Sequence, residues 1–284
     1  MLATKKSLLA FFTVLLVILF IGNGCEDDDN ITKAEGSGTI SMKMGDAPFP
    51  IDLVAKAEIT INKIDIRSVS ETGSDGDQRT YIVLDEPQTI NLIDFRNGLT
   101  TDLPNIIVSA GNYDQVRLYI ADAKIELTDG ATYDLKVPSG AASGLKVFIK
   151  PSLQVNPDVT YEVLLDVDLT KSFVVQGNPS TPAGINGFIF KPVIRAVNLS
   201  EAGTIYGKVS DTDGNILANS HVWVEQDSVI SSTYTEIDGS YRLIGLPSGT
   251  YNVYAEFAEF ITGSVEGVVV SASSETEVNF VLSL

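Results

Sequence analysis

The chain has 284 residues, with 19 Lys and Arg against 37 Asp and Glu, a formal net charge of −18. That balance excludes nucleic-acid binding, which needs a basic stripe, and disfavours electrostatic attachment to anionic lipid. One cysteine excludes an intrachain disulfide, and the one histidine, His221, leaves any His-containing zinc site, dyad or triad to be built on a single side chain.

The chain opens with Lys5 and Lys6, an apolar run from Leu8 to Ile21, then Gly22, Asn23, Gly24 and Cys25. A basic start, a short apolar region and small residues before a cleavage point describe a secretory signal. The run is shorter than the roughly 20 apolar residues of a membrane span. With Cys25 after Gly24 the segment resembles the lipobox of bacterial lipoproteins, although Gly22 stands where an apolar residue is usual. The resemblance implies that residues 1–24 are removed and that Cys25 carries the lipid. It places the rest of the chain in the cell envelope, at the outer membrane, held there through Cys25. Residues 1–24 hold two lysines and no acid, so the remainder has 17 basic against 37 acidic residues and a charge of −20. Glu26 to Asp29 cannot join a packed core and read as a solvated tether over 25–37. The run also resembles the acidic export signal of lipoproteins displayed on the cell surface.

Thr39 to Met44 alternates apolar and polar residues, the mark of a strand with one buried face. Asp46-Ala47-Pro48 and Pro50 break it. In Ala57–Ser68, Ile59 and Ile61 are out of phase with Ile64 and Ile66, and a bulge near Asn62–Lys63 restores the face. The Gly/Ser/Asp-rich stretch 70–79 reads as an exposed loop. Strand patterns follow at Tyr81–Leu84, Thr89–Asp94, Val116–Ile120, Tyr133–Val137, Leu145–Ile149 and Val163–Leu169, with a single apolar strand over Phe188–Val197. Turn signals stand at Asn97-Gly98 and Asp129-Gly130. Many short alternating strands with turns between them predict a sandwich or barrel.

Several motifs occur in order: Gly38-Thr39-Ile40-Ser41 with Asp46-Ala47-Pro48, Ala110-Gly111-Asn112-Tyr113 with Val116-Arg117-Leu118, Val137-Pro138-Ser139-Gly140 with Gly144-Leu145-Lys146, Asp166-Val167-Asp168 with Lys171-Ser172, and Lys191-Pro192-Val193-Ile194. Together they resemble the family of domains of unknown function 4382. The resemblance implies a domain over 38–199 that occurs in bacterial lipoproteins, and it assigns no activity.

Ser200–Gly203 reads as a short linker to a second domain over 203–284. Here Gly207-Lys208-Val209-Ser210-Asp211, Asp238-Gly239-Ser240-Tyr241 and Leu246-Pro247-Ser248-Gly249-Thr250-Tyr251 are similar to the carboxypeptidase regulatory-like domain. That resemblance implies a seven-stranded, prealbumin-like sandwich and no peptidase. The expected fold class is therefore all-β, with two tandem β-sandwiches after a lipoprotein signal peptide.

His221-Val222-Trp223-Val224 is the most suggestive chemical stretch. With Val222 and Val224 inward, His221 and Trp223 face outward, and Tyr234 on the next strand joins them. Such rings can stack on a sugar or anchor a protein partner; the competing account is that another part of the chain covers Trp223. Asp211-Thr212-Asp213-Gly214-Asn215 departs from a calcium loop, with glycine fourth and Val222 twelfth, and reads as a turn. Asp166 and Asp168 share a strand face that could hold a cation, with a solvated face as the plainer account. The expected function is non-enzymatic binding, with carbohydrate as the first ligand class and adhesion or docking to another envelope protein as the alternative. A carboxylate-based hydrolase stands third. No catalytic residue, metal or cofactor is expected.

Overall fold

The computed structural model describes residues 36–47, 53–69, 78–137, 143–178 and 180–284. Cys25 and the acidic run, Pro48, Pro50, most of the 70–79 loop and Pro138–Gly140 lie outside them. The first sandwich contains β1 (Ser37–Ala47), β2 (Val54–Ser68), β3 (Thr80–Leu84), β4 (Gln88–Asn91), β5 (Thr100–Asp102), β6 (Ile106–Ser109) and β7 (Gly111–Leu127). It continues with β8 (Thr132–Leu135), β9 (Leu145–Val155), β10 (Thr160–Asp168), a one-turn helix α1 (Leu169–Ser172), β11 (Phe173–Gly177), β12 (Ile185–Phe190) and β13 (Ile194–Asn198).

Eleven of these strands form one continuous sheet among the described residues, in the order β3-β2-β7-β9-β13-β10-β1-β5, with β4, β6 and β8 at its margins. The corner is β9, which runs antiparallel to β7 and then pairs parallel with β13 at Ile149 and Lys150. Ile59, Ile61, Val116 and Leu118 on one leaf share a single core with Ile40, Met42, Val163 and Leu165 on the other. The sandwich is thus one sheet folded over its own apolar face. Ile61 pairs with Ile120 and Lys63 with Tyr119, so Asn62 is the extra residue of a bulge. The bulge lets Ile59, Ile61, Ile64 and Ile66 all reach the core.

Two features differ from the sequence pattern. Phe188–Val197 is two strands, not one: β12 belongs to a hairpin with β11, and β13 to the main sheet. Pro192 has no N–H to give a ladder. The flanking amides are taken by Ser172 instead, its carbonyl accepting from Lys191 and its hydroxyl from Val193. In β10 the pattern of buried Val163, Leu165 and Val167 holds, but Leu164 and Asp166 on the other face are buried too.

The second sandwich explains that burial. Its strands are β14 (Ala202–Asp211), β15 (His221–Glu225), β16 (Val229–Tyr234), β17 (Ser240–Pro247), β18 (Gly249–Glu256), β19 (Gly263–Val270), β20 (Glu275–Glu277) and β21 (Phe280–Leu282). They form sheets β17-β14-β20, with β21 also on β14, and β16-β15-β18-β19. Strands β20 and β21 both run parallel to β14 on either side of Val278–Asn279, so the eight segments act as seven strands. Residues 200–203 are ordered: Leu199–Glu201 makes a 3-10 turn, and Ala202 and Gly203 already pair with Pro247 and Leu246.

Between the sandwiches Leu164, Val197 and Ala202 form a small apolar cluster with Leu199 and Ile244. Side chains of the first sandwich also cap β17. The Arg195 guanidinium donates to the carbonyls of Gly245 at 2.9 Å and Ile244 at 3.2 Å, and Asn97 Oδ1 accepts from the Arg242 N–H at 2.6 Å. Gly245 has φ +65°, and a Cβ there would stand 2.9 Å from the end of the Leu164 side chain, so a larger residue would be strained and would push into this cluster.

Candidate functional site

Val222 and Val224 are fully buried, which turns His221, Trp223 and Glu225 to the outer face of β15. Register then decides their neighbours. His221 stands opposite Tyr234 on β16 and Glu256 on β18, and Trp223 stands opposite Ser232 and Tyr254. The rings form one row. Tyr234 and His221 have centroids 5.1 Å apart, His221 and Trp223 stack at 4.9 Å and 20°, and Trp223 and Tyr254 stack at 5.2 Å and 15°. Trp223 Nε1 donates to Glu225 Oε1 at 2.9 Å, and His221 Nδ1 lies 3.2 Å from Glu256 Oε1.

The cover for Trp223 therefore comes from its own sheet: His221 and Tyr254 pack near-parallel against the indole, and Glu225 satisfies its N–H. Tyr254 was missing from the sequence reading. Its outward phase follows from buried Tyr251, Val253 and Ala255, but its place beside Trp223 depends on the pairing of β18 with β15, which no local pattern specifies. Partial burial holds the His221 pKa below its ordinary value, against the opposing pull of Glu256. The imidazole is thus neutral at pH 7 and offers one donor and one acceptor.

At its Tyr234–His221 end the row opens into a cleft of about 420 Å³ between the sandwiches. His221, Tyr234, Ser232 and Glu256 form one wall; Asp166, Asp168, Lys171 and Arg195 form the other. A neighbouring hollow of about 330 Å³ shares His221, Tyr234 and Glu256 and adds Phe257 and Phe260. Asp166 and Asp168 are neither a solvated face nor an open cation site. Asp166 is buried and paired with Arg195 Nε. Asp168 caps α1, accepting from the Lys171 N–H at 2.9 Å, with Lys171 Nζ 2.8 Å from its other oxygen. Asp211 accepts from the N–H groups of Asp213 and Asn215 and from the Asn215 side chain, so its carboxylate closes a turn. These bonds lower its pKa, the Asn215 side chain most. Among the described residues no cluster of three His, Cys, Asp or Glu side chains could hold a metal ion.

Residues 37–192, more than half of the chain, match the model of the domain of unknown function DUF4382. The chain belongs to the DUF4382 family. Residues 204–283 of this DUF4382 protein match the carboxypeptidase regulatory-like domain. No curated protein matches the chain. Among solved structures, it is similar to a candidate carbohydrate-binding protein from Bacteroides uniformis ATCC 8492, at 22% identity over 28% of this chain and 40% of that one, with a TM-score of 0.25. It is also similar to the Bacillus anthracis TIE protein, at 12% identity over 87% and 34%, TM-score 0.25. A third is GBS52, the minor pilin of Streptococcus agalactiae, at 10% identity over 85% and 94%, TM-score 0.24. The chain thus spans less than half the length of the first two.

Proposed function

We propose that this DUF4382 protein is a lipid-anchored, non-enzymatic protein of the cell envelope that binds neutral carbohydrate. The observation that carries the reading is the row of four rings, Tyr234, His221, Trp223 and Tyr254, leading into a cleft of hydroxyls and mostly paired charges. Sugars offer apolar C–H faces ringed by hydroxyls. They fit a rigid aromatic ledge beside groups that both donate and accept. Asp166 is already matched with Arg195 and Asp168 with Lys171, and Glu256, beside the neutral His221, leaves one negative charge at the cleft. An anion gains little there, and the acidic chain repels it. Tyr234, His221 and Tyr254 make the contacts; Trp223 holds them in line.

Titration of the full chain with neutral gluco-, manno- and xylo-oligosaccharides tests this. Tyr234→Ala should weaken binding about tenfold, the weight of ~1.4 kcal/mol, with an unchanged melting temperature. Absence of binding across the panel, or binding indifferent to Tyr234, Trp223 and Tyr254, rejects the site. Anchoring is tested separately: Cys25→Ser should release the protein from membranes or leave an unprocessed precursor, and normal membrane retention of that variant rejects lipidation.

A further inference from the structure

The outer face of the first sandwich carries charge opposite to that of the chain. Asp65 on β2 pairs with Arg117 on β7, and Arg117 pairs with Lys146 on β9, so the three stand in a row across the sheet. Lys63 and Arg67, two residues to either side of Asp65, share its face. Ile64, Ile66, Val116 and Leu118 take the core side. Four cations therefore gather around one carboxylate in a chain of net charge −18.

Asp65 is fully buried and already balanced. Lys63 Nζ lies 3.3 Å and Arg67 Nε 3.4 Å from its oxygens, and the Tyr119 hydroxyl donates to it at 3.2 Å. That carboxylate accounts for Lys63 and Arg67. It does not account for Arg117 and Lys146, which make no ion pair among the described residues. Among the described residues Arg117 donates only to the Ser143 carbonyl, at 3.5 Å, and its buried Nε has no hydrogen-bond partner. Holding like charges together costs energy unless an anion joins them. Arg117 and Lys146 also belong to the motifs Val116-Arg117-Leu118 and Gly144-Leu145-Lys146, whose charged members the core does not need.

We propose that this face binds a small oxyanion, a phosphate or sulfate ester, between Arg117 and Lys146. The guanidinium supplies a planar two-donor fork and the ammonium a point charge. Phe148, 54% exposed and two residues from Lys146 on the same face, covers the apolar part of the ligand. Asp65 is a positioning residue that holds Lys63 and Arg67 at the margin. The overall negative charge repels an extended anionic surface and favours a small ligand over a membrane. The site is remote in register from the ring row and stands independently of the carbohydrate reading.

Calorimetry on the full chain at low ionic strength tests it with inorganic phosphate, inorganic sulfate, glucose 6-phosphate, glucose, and phosphatidylglycerol vesicles. Phosphate, sulfate and glucose 6-phosphate should bind at Arg117 and Lys146, with affinity falling as salt rises, whereas any binding of glucose belongs to the ring row and should be unaffected by salt or by substitution of Arg117 or Lys146. Arg117→Gln and Lys146→Gln should each weaken binding about tenfold, as for a charge-assisted hydrogen bond. Lys56→Gln, which breaks the exposed pair with Glu126 across β2 and β7, should change nothing. Lys146 is exposed, so its variant remains readable if Arg117→Gln disturbs β7. Saturable binding to the vesicles that exceeds binding to glucose 6-phosphate would overturn the small-ligand assignment in favour of a lipid headgroup. No binding to any oxyanion, or binding that survives both substitutions, overturns the site.

Discussion

His221 shows how far single residues were readable. Its outward phase followed from Val222 and Val224, and so did that of Trp223. What the pattern could not supply was the company each keeps, because cross-strand neighbours are fixed by register over many residues. The result changes the chemistry: Trp223 is a supported member of a stack, and His221 is a half-buried base whose pKa is lowered by burial. A histidine with a lowered native pKa takes up its proton more readily when unfolded, so stability rises with pH across its titration. The contribution is complete above the unfolded value of about 6.5 and is lost as pH falls through the lower native value. Thermal melts from pH 8 to pH 5 should therefore show a declining midpoint below about pH 6.5, and His221→Gln should flatten that decline. An unchanged slope in the variant would assign the acid sensitivity to other groups.

At the scale of elements, two motifs picked out as family markers perform the same task. Tyr113, at the start of β7, donates its hydroxyl to the Ser109 carbonyl at 2.8 Å; Tyr251, at the start of β18, donates to the Pro247 carbonyl at 2.6 Å. Each reaches back four residues and ties the incoming turn to the strand, as in the tyrosine corner of other sandwiches. Burial raises both phenol pKa values, so both remain donors throughout the neutral range. Tyr113→Phe and Tyr251→Phe keep the ring and remove the bond. Each should cost about 1 kcal/mol, read as a lower denaturant midpoint at unchanged m-value. A midpoint equal to that of the parent would mean that the ring alone holds the corner. Strand existence was legible from alternation, and the Asn62 bulge from the phase slip between Ile61 and Ile64. The break at Pro192 was not read, because the residues on either side are as apolar as one strand and their separate partners lie elsewhere in the chain.

At the scale of the whole molecule, the two sandwiches were legible as two patterns, and their junction was not. The visible sign was Leu164, an apolar residue in the outward phase of β10, matched by Ile244 in the outward phase of β17. Docking also protects an edge: Arg195 and Asn97 occupy β17 carbonyls and an N–H that would otherwise invite a foreign strand. The second sandwich nevertheless has its own core of Ile205, Val222, Leu243, Val253, Phe280 and their neighbours. We therefore expect a fragment of residues 203–284 to fold cooperatively, though with less stability than the same sandwich in the full chain, since Ile244 loses its cover. In the full chain Arg195→Ala should do more damage, because it strands the buried Asp166 carboxylate as well as the two β17 carbonyls. Removing one partner of such a pair costs about 3 kcal/mol. Calorimetric melts of the parent, the fragment and the Arg195→Ala chain separate the two effects. The substitution should lower the first sandwich's transition by several degrees and bring the second towards the temperature of the free fragment. If the fragment melts where it does in the parent and Arg195→Ala changes neither transition, the junction contributes nothing to stability. If the fragment does not fold at all, the second sandwich depends on the first.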